Sequence, residues 1–280
     1  MTGCGLQKPC LGARGWTFCP STVKVPTMDV FSSGPNTGNL VVTVGLVLAL
    51  LVMSSRAKML DTKGANAAAI LGLVVGGLGH WTWLLILLGF LLSSHKATKW
   101  RFEDKKALGL SESSDGHRGW TNVVANGAIP GLICIYAYMA DDWDTVVWVF
   151  GAAVAVAASD TFASEIGCLD PRVRMITTLK PCEQGENGGF SPNGQLAAAV
   201  GSTVVAVLTF VAWLTTSADS GSTNGLEFLA VLAVIGWLGC QIDSYFGALL
   251  ENRGYMSKGA VNASAITGGV LLMSLYLGIL

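Results

Sequence analysis

Residues 194–216 contain no charged side chain, and five further stretches, 40–57, 121–140, 144–166, 226–250 and 260–280, are nearly as apolar over a similar length. A helix needs about 20 such residues to cross a hydrocarbon core of about 30 Å at 1.5 Å per residue. A chain with six of them folds in a bilayer, as helices that satisfy their own backbone hydrogen bonds. A longer apolar stretch, 64–96, is broken at Gly76-Gly77-Leu78-Gly79-His80 and reads as two short spans, 64–78 and 81–96. That makes eight. Charged residues are only 12% of the chain, about half of what a soluble surface needs.

The loops test this count. With eight spans and the N-terminus outside, the loops 56–63, 97–120, 167–193 and 251–259 share one face. Of the 17 Lys and Arg, only Lys8, Arg14 and Lys24 lie elsewhere, in the N-terminal tail, if Lys96 at a span boundary is included. The opposite loops carry Asp141, Asp142, Asp144, Asp219 and Glu227 and no basic residue. The positive-inside rule places the basic loops in the cytosol. The expected architecture is all-α: a polytopic transmembrane bundle of about eight spans, in one domain over 39–280. Residues 1–38 form a non-cytosolic, poorly ordered tail without the apolar core of a signal peptide. Met28 is a candidate alternative start, with residues 1–27 dispensable. The seven cysteines form no C-x-x-C pair, so neither a disulfide framework nor a zinc site is legible. A net charge of −1 excludes the basic footprint of a nucleic-acid binder.

A carboxylate at the centre of a span costs about 2.5–3.5 kcal/mol on insertion scales, so each one needs a reason. Asp160 and Glu165 lie near the cytosolic end of the fifth span and Asp243 about two turns from that end of the seventh. Asn122 and Asn126 open the fourth span on one face, Asn66 the second and Asn262 the eighth, while Lys96 and Lys99 close the third. These groups sit on different helices at one depth, which describes a polar cavity open to the cytosol. Clustered carboxylates repel unless a cation lies between them, and oxygen ligands with substrate phosphates suit Mg²⁺. Asp160 and Glu165, five apart, are about 140° apart around a helix. Either the helix is distorted before Gly167 or the two have separate roles. Plainer readings exist for each group: an Asn at a helix start is often an N-cap, terminal lysines snorkel, and the carboxylates could be buried polar pairs.

The loop before the sixth span contains Lys180, Gly185-Glu186-Asn187-Gly188-Gly189 and Gly194. Glycine-rich backbone ahead of a helix start can hold a phosphate, although an ordinary turn fits the composition equally well. No Walker-type G-x-x-x-x-G-K motif is present. Lys63-Gly-Ala-Asn66 and Lys258-Gly-Ala-Val-Asn262 echo each other at two span starts.

With these motifs the chain resembles the integral-membrane phytyl-phosphate kinases of tocopherol salvage, a family that includes animal transmembrane-19 proteins and archaeal homologues. The resemblance runs from about residue 60 to the end. It rests on Ser93-Ser-His-Lys-Ala-Thr-Lys-Trp100, Arg118-Gly-Trp-Thr-Asn-Val-Val-Ala-Asn-Gly-Ala-Ile-Pro130, Ser159-Asp-Thr-Phe-Ala-Ser-Glu-Ile-Gly167, Gly188-Gly-Phe-Ser191 and Ile242-Asp-Ser-Tyr-Phe-Gly-Ala248. It implies phosphoryl transfer from CTP, or another nucleoside triphosphate, to an isoprenyl monophosphate such as phytyl or geranylgeranyl phosphate. Asp160, Lys96 and Asp243 are then the implied catalytic residues, and Asp160, Glu165 and Asp243 the implied Mg²⁺ ligands. Lys99, Arg118, Asn122, Asn126, Lys180, Asn187, Gly188, Gly189, Ser244 and Asn262 are the implied nucleotide and phosphate contacts. Relatives commonly carry a small hydroxyl residue where this chain has Glu186, whose charge repels phosphate; that position is expected to face away or to bind metal.

Two other functions compete. A prenol kinase acting on the free alcohol would need a carboxylate base, Asp160 or Asp243. An ion-coupled transporter would use the carboxylates as a relay, but transporters place such groups near the midplane. The glycine content permits a homodimer.

Overall fold

The computed structural model describes residues 9–12, 15–18, 29–111, 116–216 and 225–280. Their helices are α1 (Thr37–Ala57), α2 (Thr62–Val74), α3 (Trp81–Lys99), α4 (Phe102–Ala107), α5 (Trp120–Ala140), α6 (Val146–Gly167), α7 (Pro192–Thr216), α8 (Gly225–Phe246) and α9 (Lys258–Tyr276). All but the short α4 occupy the eight expected segments. Six are long and apolar enough to cross a membrane; α2 and α3 are not among them. The chain is an all-α polytopic membrane bundle. Its strands are short: β1 (Pro9–Gly12) pairs with β2 (Gly15–Phe18) inside the tail, and β3 (Arg174–Met175) with β4 (Gly189–Phe190), both antiparallel. The remainder of residues 1–28, with Met28, Lys8, Arg14 and Lys24, lies outside the described residues, as does 217–224 with Asp219.

Helix α6 forms the centre, packed by α3, α5, α7, α8 and α9. Its run of Ala, Val and Gly explains that position. Along the small-residue run between Phe150 and Phe162 its neighbours approach closely, which is how helices associate where lipid competes for apolar surface. Ala152, Ala153, Ala155 and Ala158 are buried. A Cβ on Gly201 of α7 would meet the Ala158 carbonyl oxygen at 2.8 Å. At the end of α6, a Cβ on Gly167 would lie 2.8 Å from Cα of Gly194 in the first turn of α7. Both crossings therefore require glycine.

The expected break between the second and third spans is a π-helical turn, Val75–Gly79, followed by extended His80. Backbone groups freed by such a break need partners inside a membrane. Asn39 of α1 supplies them: its amide nitrogen donates to the carbonyls of Gly34 at 2.8 Å and Gly76 at 2.7 Å, and its oxygen accepts from Trp81 N–H at 2.8 Å.

Candidate functional site

Helices α6 and α8, the start of α9 and the 167–193 loop surround a polar cavity with about 1070 Å³ of empty space, at the end of the bundle that carries the basic loops. Asp160 of α6 and Asp243 of α8 both line it, within hydrogen-bonding reach of each other. Asn262 of α9, its amide turned to suit these acceptors, donates to Asp243 Oδ2 at 3.3 Å and to the Lys258 carbonyl at 2.9 Å. Two adjacent carboxylates repel unless a proton or cation is shared between them. Lys258, the first residue of α9, also lines the cavity and lies in electrostatic range of Asp243. It was legible in the sequence only as part of the repeated Lys-Gly-Ala pattern.

Helix α6 is unbroken through Gly167, so Asp160 and Glu165 face different ways. Glu165 also borders the cavity, but both its oxygens have protein partners. Thr98 donates to Oε1 at 2.6 Å and Lys105 Nζ to Oε2 at 2.6 Å. From the sequence Glu165 is expected among three carboxylate ligands; in the fold its oxygens are held by Thr98 and Lys105. Among the described residues no group of three or more His, Cys, Asp or Glu is placed to hold a metal ion. Lys105, counted in the sequence as one loop cation among many, is fully buried.

The 167–193 loop closes the cavity. Asp170, almost fully buried, accepts from the Arg172 guanidinium twice at 2.9 Å, from Arg172 N–H at 3.0 Å and from Asn193 N–H at 3.1 Å. The Arg172 guanidinium, helped by these backbone donors, holds its carboxyl well below the usual carboxylate range. Ser191 Oγ accepts from Gly194 N–H at 3.2 Å, an N-cap for α7. The Asn193 and Gly194 amides are therefore engaged, and the first turn of α7 is not the open phosphate cradle that the composition allowed. The Gly188 carbonyl accepts from Ile176 N–H at 2.9 Å, and Asn252 Nδ2 donates to the Asn187 carbonyl at 2.9 Å. Asn187, Gly188, Gly189 and Ser244 line the cavity, as does the exposed Glu186.

The remaining expected groups are elsewhere. Arg118, Asn122 and Asn126 line a second, apolar cavity between α1, α2, α3 and α5. A single polar cavity is thus corrected to two. Depth in the bilayer is legible from where spans end, whereas lateral position is not. None of the four asparagines expected at span starts, Asn66, Asn122, Asn126 and Asn262, is an N-cap: the caps are Asp61 for α2, Gly119 for α5 and Ser257 for α9. Asn66 lines neither cavity. Lys96, Lys99 and Lys180 are exposed and line neither cavity; Lys99 lies over the Phe102 ring at 5.0 Å.

Residues 45–273 match the family described as Integral membrane protein DUF92. An uncharacterized membrane protein of Methanocaldococcus jannaschii is 29% identical over 85% of this chain and 94% of its own length. Protein PGR of Arabidopsis thaliana is 31% identical over 73% of this chain and 76% of its own. Protein VTE6, chloroplastic, from the same plant is 27% identical over 68% of this chain and 59% of its own. No solved structure matches.

Proposed function

The chain belongs to the DUF92 family of integral membrane proteins, and we propose that it is a membrane kinase that transfers a phosphoryl group from CTP, or another nucleoside triphosphate, to an isoprenyl monophosphate. The observation that carries this reading is the facing pair Asp160 and Asp243 in a polar cavity at one end of a membrane bundle. The matched span also takes in every motif that resembles the phytyl-phosphate kinases. The positive-inside rule orients the cavity toward the cytosol, where the nucleotide is.

The donor set fits Mg²⁺, which is typically held by one or two carboxylates together with substrate phosphates. Bound there, Mg²⁺ would neutralise charge on the transferring phosphoryl group. Asp160 and Asp243 are the ligands in this reading, Asn262 orients Asp243, and Lys258 offsets phosphate charge. In the transfer, an oxygen of the acceptor monophosphate bonds to the γ-phosphorus while the bond from that phosphorus to the bridging oxygen breaks, and the nucleoside diphosphate leaves. The acceptor is already an anion at neutral pH, so no strong base is needed.

The test is an assay of the purified protein with Mg²⁺, labelled CTP or ATP, and phytyl or geranylgeranyl phosphate alongside the free alcohols. Diphosphate formed from the monophosphates alone supports the reading. Monophosphate formed from the alcohol reassigns the protein to the prenol kinases. No transfer by folded protein overturns it.

A further inference from the structure

The apolar cavity has no part in the chemistry above. It holds about 580 Å³ of empty space, part of which is open to its surroundings. Its walls are aliphatic, with Leu50 from α1, Ala68 and Leu71 from α2, and Leu84 and Leu88 from α3. From Leu84 to Leu91 it follows α3 for about 10 Å along the helix axis. Protein interiors are close-packed, and an unfilled apolar space costs stability. A purely structural contact between four helices would be filled by larger side chains.

The polar lining is gathered at one end. Arg118, Asn122 and Asn126 line it there, on the side of the bundle that carries the basic loops, and Asn126 Nδ2 donates to the Asn122 carbonyl at 2.9 Å. Asn126 is 7% exposed. The backbone of Arg118 is fixed by its neighbours: its N–H donates to the Met59 carbonyl at 3.0 Å, and its carbonyl accepts from Asp61 N–H at 3.2 Å. An aliphatic slot that ends in a guanidinium and two amides is complementary to one kind of ligand, an apolar chain with an anionic head.

The two cavities are also linked. Arg118 Nη2 donates to Thr98 Oγ1 at 3.2 Å, and Thr98 Oγ1 donates to Glu165 Oε1 at 2.6 Å. Glu165 borders the polar cavity. A head group at Arg118 would therefore lie two hydrogen bonds from the wall of the cavity that contains Asp160 and Asp243.

We infer that the slot between α1, α2, α3 and α5 is the acceptor site: it takes the isoprenyl chain, with its phosphate at Arg118, Asn122 and Asn126. The identity of the ligand rests on the kinase reading; the shape and charge of the slot do not. The nucleotide and the acceptor then occupy different cavities, one entered through water and one through lipid. Ala68 and Val123 line the slot.

The test uses the solubilised full chain and a geranylgeranyl monophosphate carrying a diazirine at the far end of the chain. Photolabelling is expected within 68–72, 84–91 or 122–127, competed by geranylgeranyl phosphate, and competed less by geranylgeraniol or by a phospholipid. Labels confined to lipid-facing residues, or competed equally by the alcohol, overturn the inference. A second measurement uses Ala68→Phe and Val123→Phe. The KM for a 20-carbon acceptor phosphate should rise about tenfold more than that for a five-carbon one; equal changes overturn the assignment. Slot labelling without turnover would leave the acceptor site standing and remove the kinase reading. Turnover with labels only elsewhere would do the reverse.

Discussion

Lys105 Nζ lies 2.6 Å from Glu165 Oε2, with the two side chains 1% and 8% exposed. Lys105 also donates to the carbonyls of Thr98 at 2.8 Å and Ala97 at 3.2 Å, which closes the last turn of α3. Removing one member of such a pair leaves a buried charge uncompensated and costs about 3–5 kcal/mol. Glu165→Gln and Lys105→Met should each lower the melting temperature of the detergent-solubilised protein sharply. The double variant should cost less than the two single variants together, because it strands no charge. Additive losses would show that the ion pair is not what holds α3, α4 and α6 together.

Asp160 and Asp243 predict the opposite signature. As facing carboxylates they repel when neither a cation nor a shared proton lies between them, so Asp160→Asn or Asp243→Asn should raise the melting temperature measured in EDTA at alkaline pH. The same changes should reduce turnover by about 100-fold or more and abolish the stabilisation that added Mg²⁺ gives the parent protein. Retained activity in either variant would remove the proposed metal site, and a lower melting temperature in EDTA would show that the pair is a structural hydrogen bond.

Much of this was legible in the sequence. The eight helices follow from the apolar stretches, and the break before His80 from the three glycines of Gly76-Gly77-Leu78-Gly79. Asp160 and Asp243 could be paired in advance because an intramembrane carboxylate always needs a partner. Lys105 could not, because α4 is only six residues long, too short for any periodicity to reveal that its lysine turns inward. The lateral arrangement was equally hidden. Nothing in the spacing of Arg118 and Asn126 says that they line a different cavity from Asp243. Nor does composition separate a glycine that admits phosphate from one, such as Gly194, that admits a neighbouring helix.

The Asp170 clamp gives a pH dependence with a definite sign. Its carboxyl is held below the ordinary value of about 3.9, so between the two values the unfolded chain binds a proton that the native chain does not. The contribution is complete above about pH 4 and is lost as the pH falls through the native value. Arg172 is largely exposed, which weakens its share, and the partly buried backbone hydrogen bonds from Arg172 and Asn193 carry the rest. Asp170→Asn should cost about 1–3 kcal/mol at pH 7. The gap between parent and variant should stay constant from pH 8 to pH 5 and narrow below about pH 4. Thermal melts across that range measure it, and a gap that widened in acid would contradict the assignment.

Gly188 shows whether the loop must keep its exact path. It has φ +83°, and a Cβ there would lie 2.8 Å from the Ser244 carbonyl oxygen of α8. Alanine thus adds left-handed strain to a collision with backbone, about 1–3 kcal/mol. The loop can relieve it only by moving away from Asp243. Gly185 in the same loop has φ +79°, but its Cβ would meet only the end of the Leu110 side chain, which can turn aside. Gly188→Ala should therefore reduce kcat/KM by about 100-fold, the scale expected for a displacement of about 1 Å at a reacting centre. Gly185→Ala should keep most of the activity while losing a similar strain energy. Equal losses in steady-state assays of the two variants would mean that backbone conformation alone, and not contact with α8, sets the position of Asn187 and Gly189 at the cavity.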